Sequence, residues 1–237
     1  DDPIDVEKLA QLYRGGYIKR VHHADCFDRV VFKRHVGLYH DSVRQRVRVA
    51  NRMVAELRHY GVFVSSRKIM DEEGRAEILS RLPKHPVVRR DIQELNRFHE
   101  AALRRVTATR KTLVELAKNE PVIVRFTALP GVKWIRAATF FAYVDTPWRF
   151  TSKQALWKYL GIGLERRHSG SGPEQVQVPR RVHRGLKSAI LGAAKSAIVS
   201  GKNVFAAQHE RWLQNGVSPR NARRNVARSQ AAVLWGM

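Results

Sequence analysis

Four groups of residues have types and spacings suited to chemistry. Asp2-Pro3-Ile4-Asp5 sets two carboxylates three positions apart at a predicted helix start, so both lie on one face. Hard oxygen ligands of this kind suit Mg²⁺ or Mn²⁺. The same acids complement the positive end of a helix dipole without any metal, and taken alone that simpler reading is favoured. Leu129-Pro130-Gly131-Val132-Lys133 precedes an apolar helix, where a Pro-Gly hairpin can offer backbone N–H groups to a phosphate. Helix-hairpin-helix elements usually carry a second glycine where Lys133 stands. A lysine there could supply charge to the phosphate instead, and a plain interhelix turn would look the same.

The third group is a glycine-rich loop, Gly161-Ile162-Gly163 through Arg166-Arg167-His168-Ser169-Gly170-Ser171-Gly172, followed by Arg180, Arg181, Arg184 and Lys187. A serine hydroxyl among glycines and cations suits attack on a phosphodiester, because the cations stabilise the charged transition state. A flexible Ser-Gly loop with solvated arginines is the commoner origin of such a pattern. His168 neighbours the serine, but adjacent side chains in an extended segment point apart, so it receives no role. In the fourth group, Ser218 and Pro219 start a helix bearing Arg220, Arg223 and Arg224. Those arginines meet nucleic acid or merely solvate the surface.

The elements that must position these groups are mostly helical. A short helix is expected over 5–13, then a Gly15-Gly16 turn and an extended stretch over 17–22. Phe32, Val36, Tyr39, Val43, Arg46, Ala50, Met53 and Leu57 recur at alternating steps of four and three, predicting a long helix that ends near Gly61. Ile92, Leu95, His99, Ala102, Val106, Thr109, Leu113 and Leu116 predict a second long helix over 87–118. A connector between them holds one short helix over 72–81. This pair predicts an antiparallel coiled-coil hairpin, strands of an intersubunit coiled coil, or two helices of a globular bundle. Beyond Pro121 the spacing predicts helices over 134–144, 152–160, 184–200, 204–215 and 219–235, with a short β excursion over 175–178.

The 237 residues include 44 Lys plus Arg against 21 Asp plus Glu, a formal charge of +23. With 43% hydrophobic residues the chain can bury a core, so it is no disordered basic tail. Such charge on a foldable chain is the footprint of a nucleic-acid binder, although ribosomal and membrane-surface proteins can share it. A single cysteine, Cys26, excludes an intrachain disulfide and a cysteine metal cage. No apolar run has the length of a membrane span, and a cytoplasmic, nucleoid-associated bacterial protein is expected.

Taken in order, these segments resemble the IS one-ten family of insertion-sequence transposases, relatives of the pilin-gene invertases. Asp2 and Asp5 match the Asp-x-x-Asp that ends the family's Asp, Glu, Asp, Asp tetrad. Asn51-Arg52 matches an Asn-Arg pair on its first long helix. Leu129-Pro130-Gly131 with Arg136-Ala137-Ala138, Arg149-Phe150-Thr151-Ser152, Tyr159-Leu160-Gly161, Ser169-Gly170, Asn203-Val204-Phe205, Gly216 and Ser218-Pro219 follow in family order. Departures are Lys133 for a hairpin glycine, and Arg180-Arg181-Val182-His183 where the family has Lys-Arg-Gly-Asn.

The resemblance implies a mainly α chain in three parts. These are the C-terminal remnant of a RuvC-like, RNase H-fold domain over 1–27, a long helical coiled-coil region over 28–120, and a serine transposase domain with a helix-hairpin-helix-like element over 121–237. It implies that Ser169 is the nucleophile, that Asp2 and Asp5 help hold Mg²⁺ or Mn²⁺, and that the partners are DNA, a guide (bridge) RNA and further copies of the chain, from dimer to tetramer. Nucleic-acid contacts are expected from Gly131, Lys133, Arg166, Arg167, Arg180, Arg181, Arg184, Lys187, Arg223 and Arg224. The chain opens just before the tetrad's third acid and closes where the family continues briefly, so truncation at both ends is expected. Two other classes stay open: an inactive fragment that only binds nucleic acid, and a junction-resolving nuclease that would need the missing acids but not Ser169.

Overall fold

The computed structural model describes residues 2–17, 22–167, 175–179 and 181–237. The first helix, α1 (Asp2–Arg14), ends in a turn at Gly15 and Gly16, and every side chain described on it is exposed. The extended stretch expected over 17–22 falls mostly outside the described residues.

Helices α2 (Phe27–His59) and α5 (Pro86–Lys118) form an antiparallel hairpin. His35 Nε2 lies 3.2 Å from the Thr109 carbonyl near its base, while Met53 and Leu57 pack with Val88 and Ile92 towards its tip. The three–four periodicity is thus satisfied within one chain: Val36, Leu57, Ile92 and Leu113 are all fully buried. Of the arrangements open from sequence, the chain adopts the intrachain hairpin.

Arg46, His99 and Thr109 interrupt the two apolar stripes. Arg46 donates to the Met70 sulfur from Nε (3.1 Å) and Nη2 (2.7 Å). His99 is fully buried, and neither ring nitrogen has a hydrogen-bond partner. Between the long helices lie α3 (Ser66–Met70) and α4 (Glu72–Ser80). Ser65 and Asp71 cap them by accepting from the Lys68 and Gly74 amides. Together they close a small core of Met53, Leu57, Ile69, Ile78 and Ile92 over the tip.

The larger core occupies the other end. It joins the hairpin base (Phe32, Val36, Leu113, Ala117) to α6 (Pro121–Thr127), α7 (Trp134–Val144), α8 (Lys153–Tyr159), α9 (Arg184–Ser200), α10 (Val204–Gln214) and α11 (Pro219–Gly236). Helix α7 runs through its centre, buried from Ala137 to Ala142. Ala193, Ala194 and Ala197 let α9 approach closely: a Cβ on Gly131 (φ +80°) would collide with the Ala193 carbonyl. The only strands among the described residues, β1 (Glu165–Arg167) and β2 (Gln175–Gln177), pair antiparallel with Arg166 opposite Val176. Apart from this hairpin the architecture is helical, as expected. Helix α6 and strand β1 went unread in the sequence. Among the described residues, no helix is long and apolar enough to cross a membrane.

Candidate nucleic-acid interface

The glycine-rich loop leaves the core at a fixed point. After α8 the chain reverses at Gly161 (φ +71°), where the Ile162 and Gly163 amides both bond the Trp157 carbonyl at 2.9 and 2.7 Å. Only glycine fits twice here: a Cβ on Gly161 would lie 2.7 Å from Val182 Cγ2, and one on Gly163 would lie 2.7 Å from the Lys158 amide nitrogen. Helix α11 braces the same turn from outside. Arg228 Nε donates to the Ile162 carbonyl (2.8 Å), and the Trp157 indole donates to the Arg228 carbonyl (3.1 Å). Below the turn, the Tyr159 hydroxyl donates to the Tyr143 carbonyl (2.7 Å), with the Arg149 guanidinium 4.4 Å over the Tyr159 ring. The β1–β2 hairpin therefore springs from a rigid base. Ser169, its rival Ser171, His168 and Arg180 lie outside the described residues.

Cations crowd that base. Burial lowers the Lys187 pKa below its ordinary value, and the charges of Arg224 and Arg220 lower it further. Arg224 is depressed by burial and by Arg220 and Arg223; Arg228 by burial and by Arg224. Among the described residues no carboxylate pairs with any of these five cations. Arg223 Nε is buried without a hydrogen-bond partner. Collecting like charges without a counter-charge costs folding energy, so the cluster makes physical sense when an anion completes it.

Of the residues expected to touch nucleic acid, the fold brings Lys187, Arg223 and Arg224 into this cluster. Arg181 and Arg184 stand exposed at the start of α9. Arg166 and Arg167 lie on β1. Gly131 and Lys133 sit apart. The Gly131 carbonyl accepts from Arg136 (2.6 Å), the Pro130 carbonyl accepts from Gln230 (2.8 Å), and α9 closes over the turn, while Lys133 is exposed at the cap of α7. Reading from sequence named Arg220 only among the arginines of this helix and passed over Arg228. Their signal was present: positions 220, 224 and 228 step by four along one helix face.

Asp5 is exposed on α1. No group of three or more His, Cys, Asp or Glu side chains among the described residues could hold a metal ion. Mg²⁺ prefers six oxygens in near-octahedral array, so Asp2 and Asp5 do not by themselves make its site.

Residues 124–210 match the model of the Transposase IS116/IS110/IS902 family. Over that stretch the chain is similar to IS110-type transposases. No curated protein matches the chain. The IS110-type match runs from α6 through the β1–β2 hairpin to α10, so it includes Lys187 and the loop with Ser169. Helix α11, which supplies the other four cations, lies beyond the matched residues but packs on the domain.

Proposed function

We propose that the chain is the DNA-joining part of an insertion-sequence transposase, in which Ser169 attacks a phosphodiester beside the Lys187–Arg224 cation cluster. The observation that carries this reading is the cluster itself: unpaired, partly buried positive charge at the rigid base of the hairpin that presents the Ser-Gly loop. In the reaction, Ser169 Oγ loses its proton and bonds to phosphorus, and the bridging ester oxygen leaves as a hydroxyl. Attack by a second DNA hydroxyl reverses the step, releases the serine and rejoins the strands. The cations offset negative charge on the phosphoryl oxygens, which grows in the transition state.

By resemblance, a bridge RNA pairs with target and donor, several copies assemble, and Mg²⁺ assists. When bound, that metal would polarise the phosphoryl group. It would need oxygens beyond Asp2 and Asp5, and no step above runs through it. The second reading, a module that binds nucleic acid without chemistry, draws on the lack of a metal-binding group among the described residues.

A covalent-adduct assay separates the two. The chain, joined to a segment supplying the two further acids, is incubated with guide RNA, DNA and Mg²⁺ and then denatured. A protein–DNA band that is lost in Ser169→Ala and kept in Ser171→Ala supports the serine mechanism. A band surviving both changes removes it.

A further inference from the structure

A second cationic site adjoins the first, in an open cleft of about 580 Å³ between α2, α7 and the segment entering α2. Lys33, Gly37, His40 and Arg44 recur at steps of four, three and four, so they share one face of α2. That face is turned to Tyr143 of α7. Lys33 Nζ stands 5.7 Å from the Tyr143 ring centroid, and a Cβ on Gly37 would lie 3.9 Å from the Tyr143 hydroxyl. His183, the cap of α9, stacks on the other part of the same ring with centroids 3.9 Å apart. Three helices thus bring two histidines, a lysine and an arginine around one tyrosine.

The acids of the cleft are already engaged. Asp145 accepts from Arg29 (3.1 Å) and lies 2.7 Å from His22 Nε2; Asp41 accepts from Arg44 (3.1 Å) and Gln45 (3.2 Å). Lys33 and Arg34 have no carboxylate partner among the described residues. Here too the charge lacks a counter-ion.

We propose that this cleft binds a backbone phosphodiester of a nucleic-acid strand, using the lining Lys33 and Arg44 as charges and the adjoining His183 and His40, which lie against Tyr143 and Thr139, as hydrogen-bond donors. The proposal rests on the reading that nucleic acid is the partner, and adds contacts beyond the Lys187–Arg224 cluster. The donor roles follow from the hydrogen bonds. Nδ1 of His183 accepts from the Leu186 amide (3.0 Å), so its neutral ring carries the proton on Nε2 and keeps that donor free. The Thr139 hydroxyl donates to the Ile135 carbonyl (2.6 Å) and so accepts from His40 Nε2 (2.9 Å). His40 Nδ1 then gains a proton only on charging.

Burial holds the pKa of His40 below 6.5, and the charges of Arg44 and His183 lower it further. His183 is depressed by burial, Lys33 and Arg44. The groups facing the two rings are Lys33 and Arg44 of α2, with Asp41 beside Arg44, and Thr139 and Tyr143 of α7. Asp145, His22 and Arg29 stand at the end of α7. A phosphate among the cations would reverse the depression at His40, whose Nδ1 is open, so binding takes up a proton there and strengthens as pH falls through the histidine range, while His183 stays neutral as the cap of α9.

The test measures fluorescence anisotropy of a short labelled single-stranded DNA, and of its RNA counterpart, with the wild-type chain, Lys33→Gln, Lys33→Arg and His183→Asn. Asparagine retains a capping acceptor, so His183→Asn removes the ring without removing the cap. Lys33→Gln should weaken binding roughly tenfold, the scale of one hydrogen bond to a charged group, and Lys33→Arg should restore most of it. Weakening confined to DNA, or to RNA, identifies which strand lies in the cleft. In parallel, the ring-proton titration of His40 in the wild-type chain should move to higher pH on adding the oligonucleotide, a readout that survives any folding defect in a variant. An unmoved His40 titration with wild-type affinity in Lys33→Gln overturns the cleft while leaving nucleic-acid binding intact. Absence of binding by the wild-type chain overturns both.

Discussion

The two ends of the molecule hold their cations differently. Along the helical arm some cations stand beside acids, Lys68 with Glu77 at 2.7 Å, Arg81 with Glu77 at 3.6 Å and Arg97 with Glu94 at 3.2 Å, and others, such as Arg48, Arg52, Arg104 and Arg105, stand exposed. In the head, Lys187, Arg220, Arg223, Arg224 and Arg228 have no acidic partner among the described residues, and burial with the neighbouring positive charges depresses the pKa of Lys187, Arg224 and Arg228. Exposed pairs such as those on the arm contribute at most about 1 kcal/mol each and chiefly keep a long helix pair solvated. An unpaired, partly buried cluster is a standing cost, and it is accounted for by a ligand that brings phosphate. Net charge of +23 is therefore a poor guide to where nucleic acid sits; the local ratio of cation to acid is the better one.

The largest effect expected from this contrast is on affinity. Arg224→Glu reverses a charge inside the cluster and should weaken DNA binding roughly a hundredfold, as truncating a buried charge contact does. Arg97→Glu on the arm should change affinity by no more than about twofold, because an exposed charge is screened within about 10 Å. Equal losses at both sites would erase the distinction.

Core substitutions sharpen it next. Leu113 is fully buried at the joint of arm and head, and Leu113→Ala should cost about 2–5 kcal/mol in urea unfolding. Ile69→Ala falls in the same range but opens a cavity in the separate tip core. At temperatures where both variants are still folded, Ile69→Ala should keep wild-type DNA affinity, since the tip holds none of the cluster.

Acid should separate the regions by ligand. His40, His183 and, on the arm, His99 are all held below their ordinary 6.5, burial being the largest cause in each. A histidine depressed in the folded state favours unfolding once protonated. Its contribution is complete above pH 6.5 and is lost as pH falls through its folded pKa. Oligonucleotide should remove this acid sensitivity at His40 but leave it at His99, which lies buried between α2 and α5. Melting temperatures across pH 5 to 7.5 with and without DNA measure this (pH range chosen to bracket the histidine value).

The smallest effect belongs to Glu77. The hydrogen bond and charge of Lys68 hold its carboxyl below 4.5, with Arg81 adding to them and burial opposing. Its contribution is present above pH 4.5 and fades as pH falls through the lowered value. Lys68→Gln should flatten that dependence in acid titrations while DNA affinity stays unchanged.

Much of the scaffold could be read from the chain itself. Helix α9 begins and ends where the spacing put it, as does α7, because apolar periodicity and flanking Gly or Pro act locally. Helix α6 escaped because seven residues hold too few turns to show a period. Strand β1 escaped because Glu165-Arg166-Arg167 has no β-branched residue, and its pairing with Gln175–Gln177 is a contact across the loop. The 129–133 hairpin was visible as a turn, but not that α9 covers it. The cluster was half legible: the arginine ladder on α11 is local, whereas its meeting with Lys187 depends on how α9 and α11 pack. Ser169 and the Asp2, Asp5 pair were reached through family resemblance.

The central claim, that nucleic acid meets the half-buried cation cluster of the head and not acid-paired arm cations such as Lys68 and Arg97, is tested most directly by the salt dependence of DNA affinity. Each phosphate contact contributes roughly 0.7 to 0.9 to the slope of log affinity against log salt. Lys187→Gln with Arg224→Gln should flatten the wild-type slope by about two contacts, and Lys68→Gln with Arg97→Gln should leave it unchanged. A slope unaltered by the head pair, or flattened as much by the arm pair, would contradict the account.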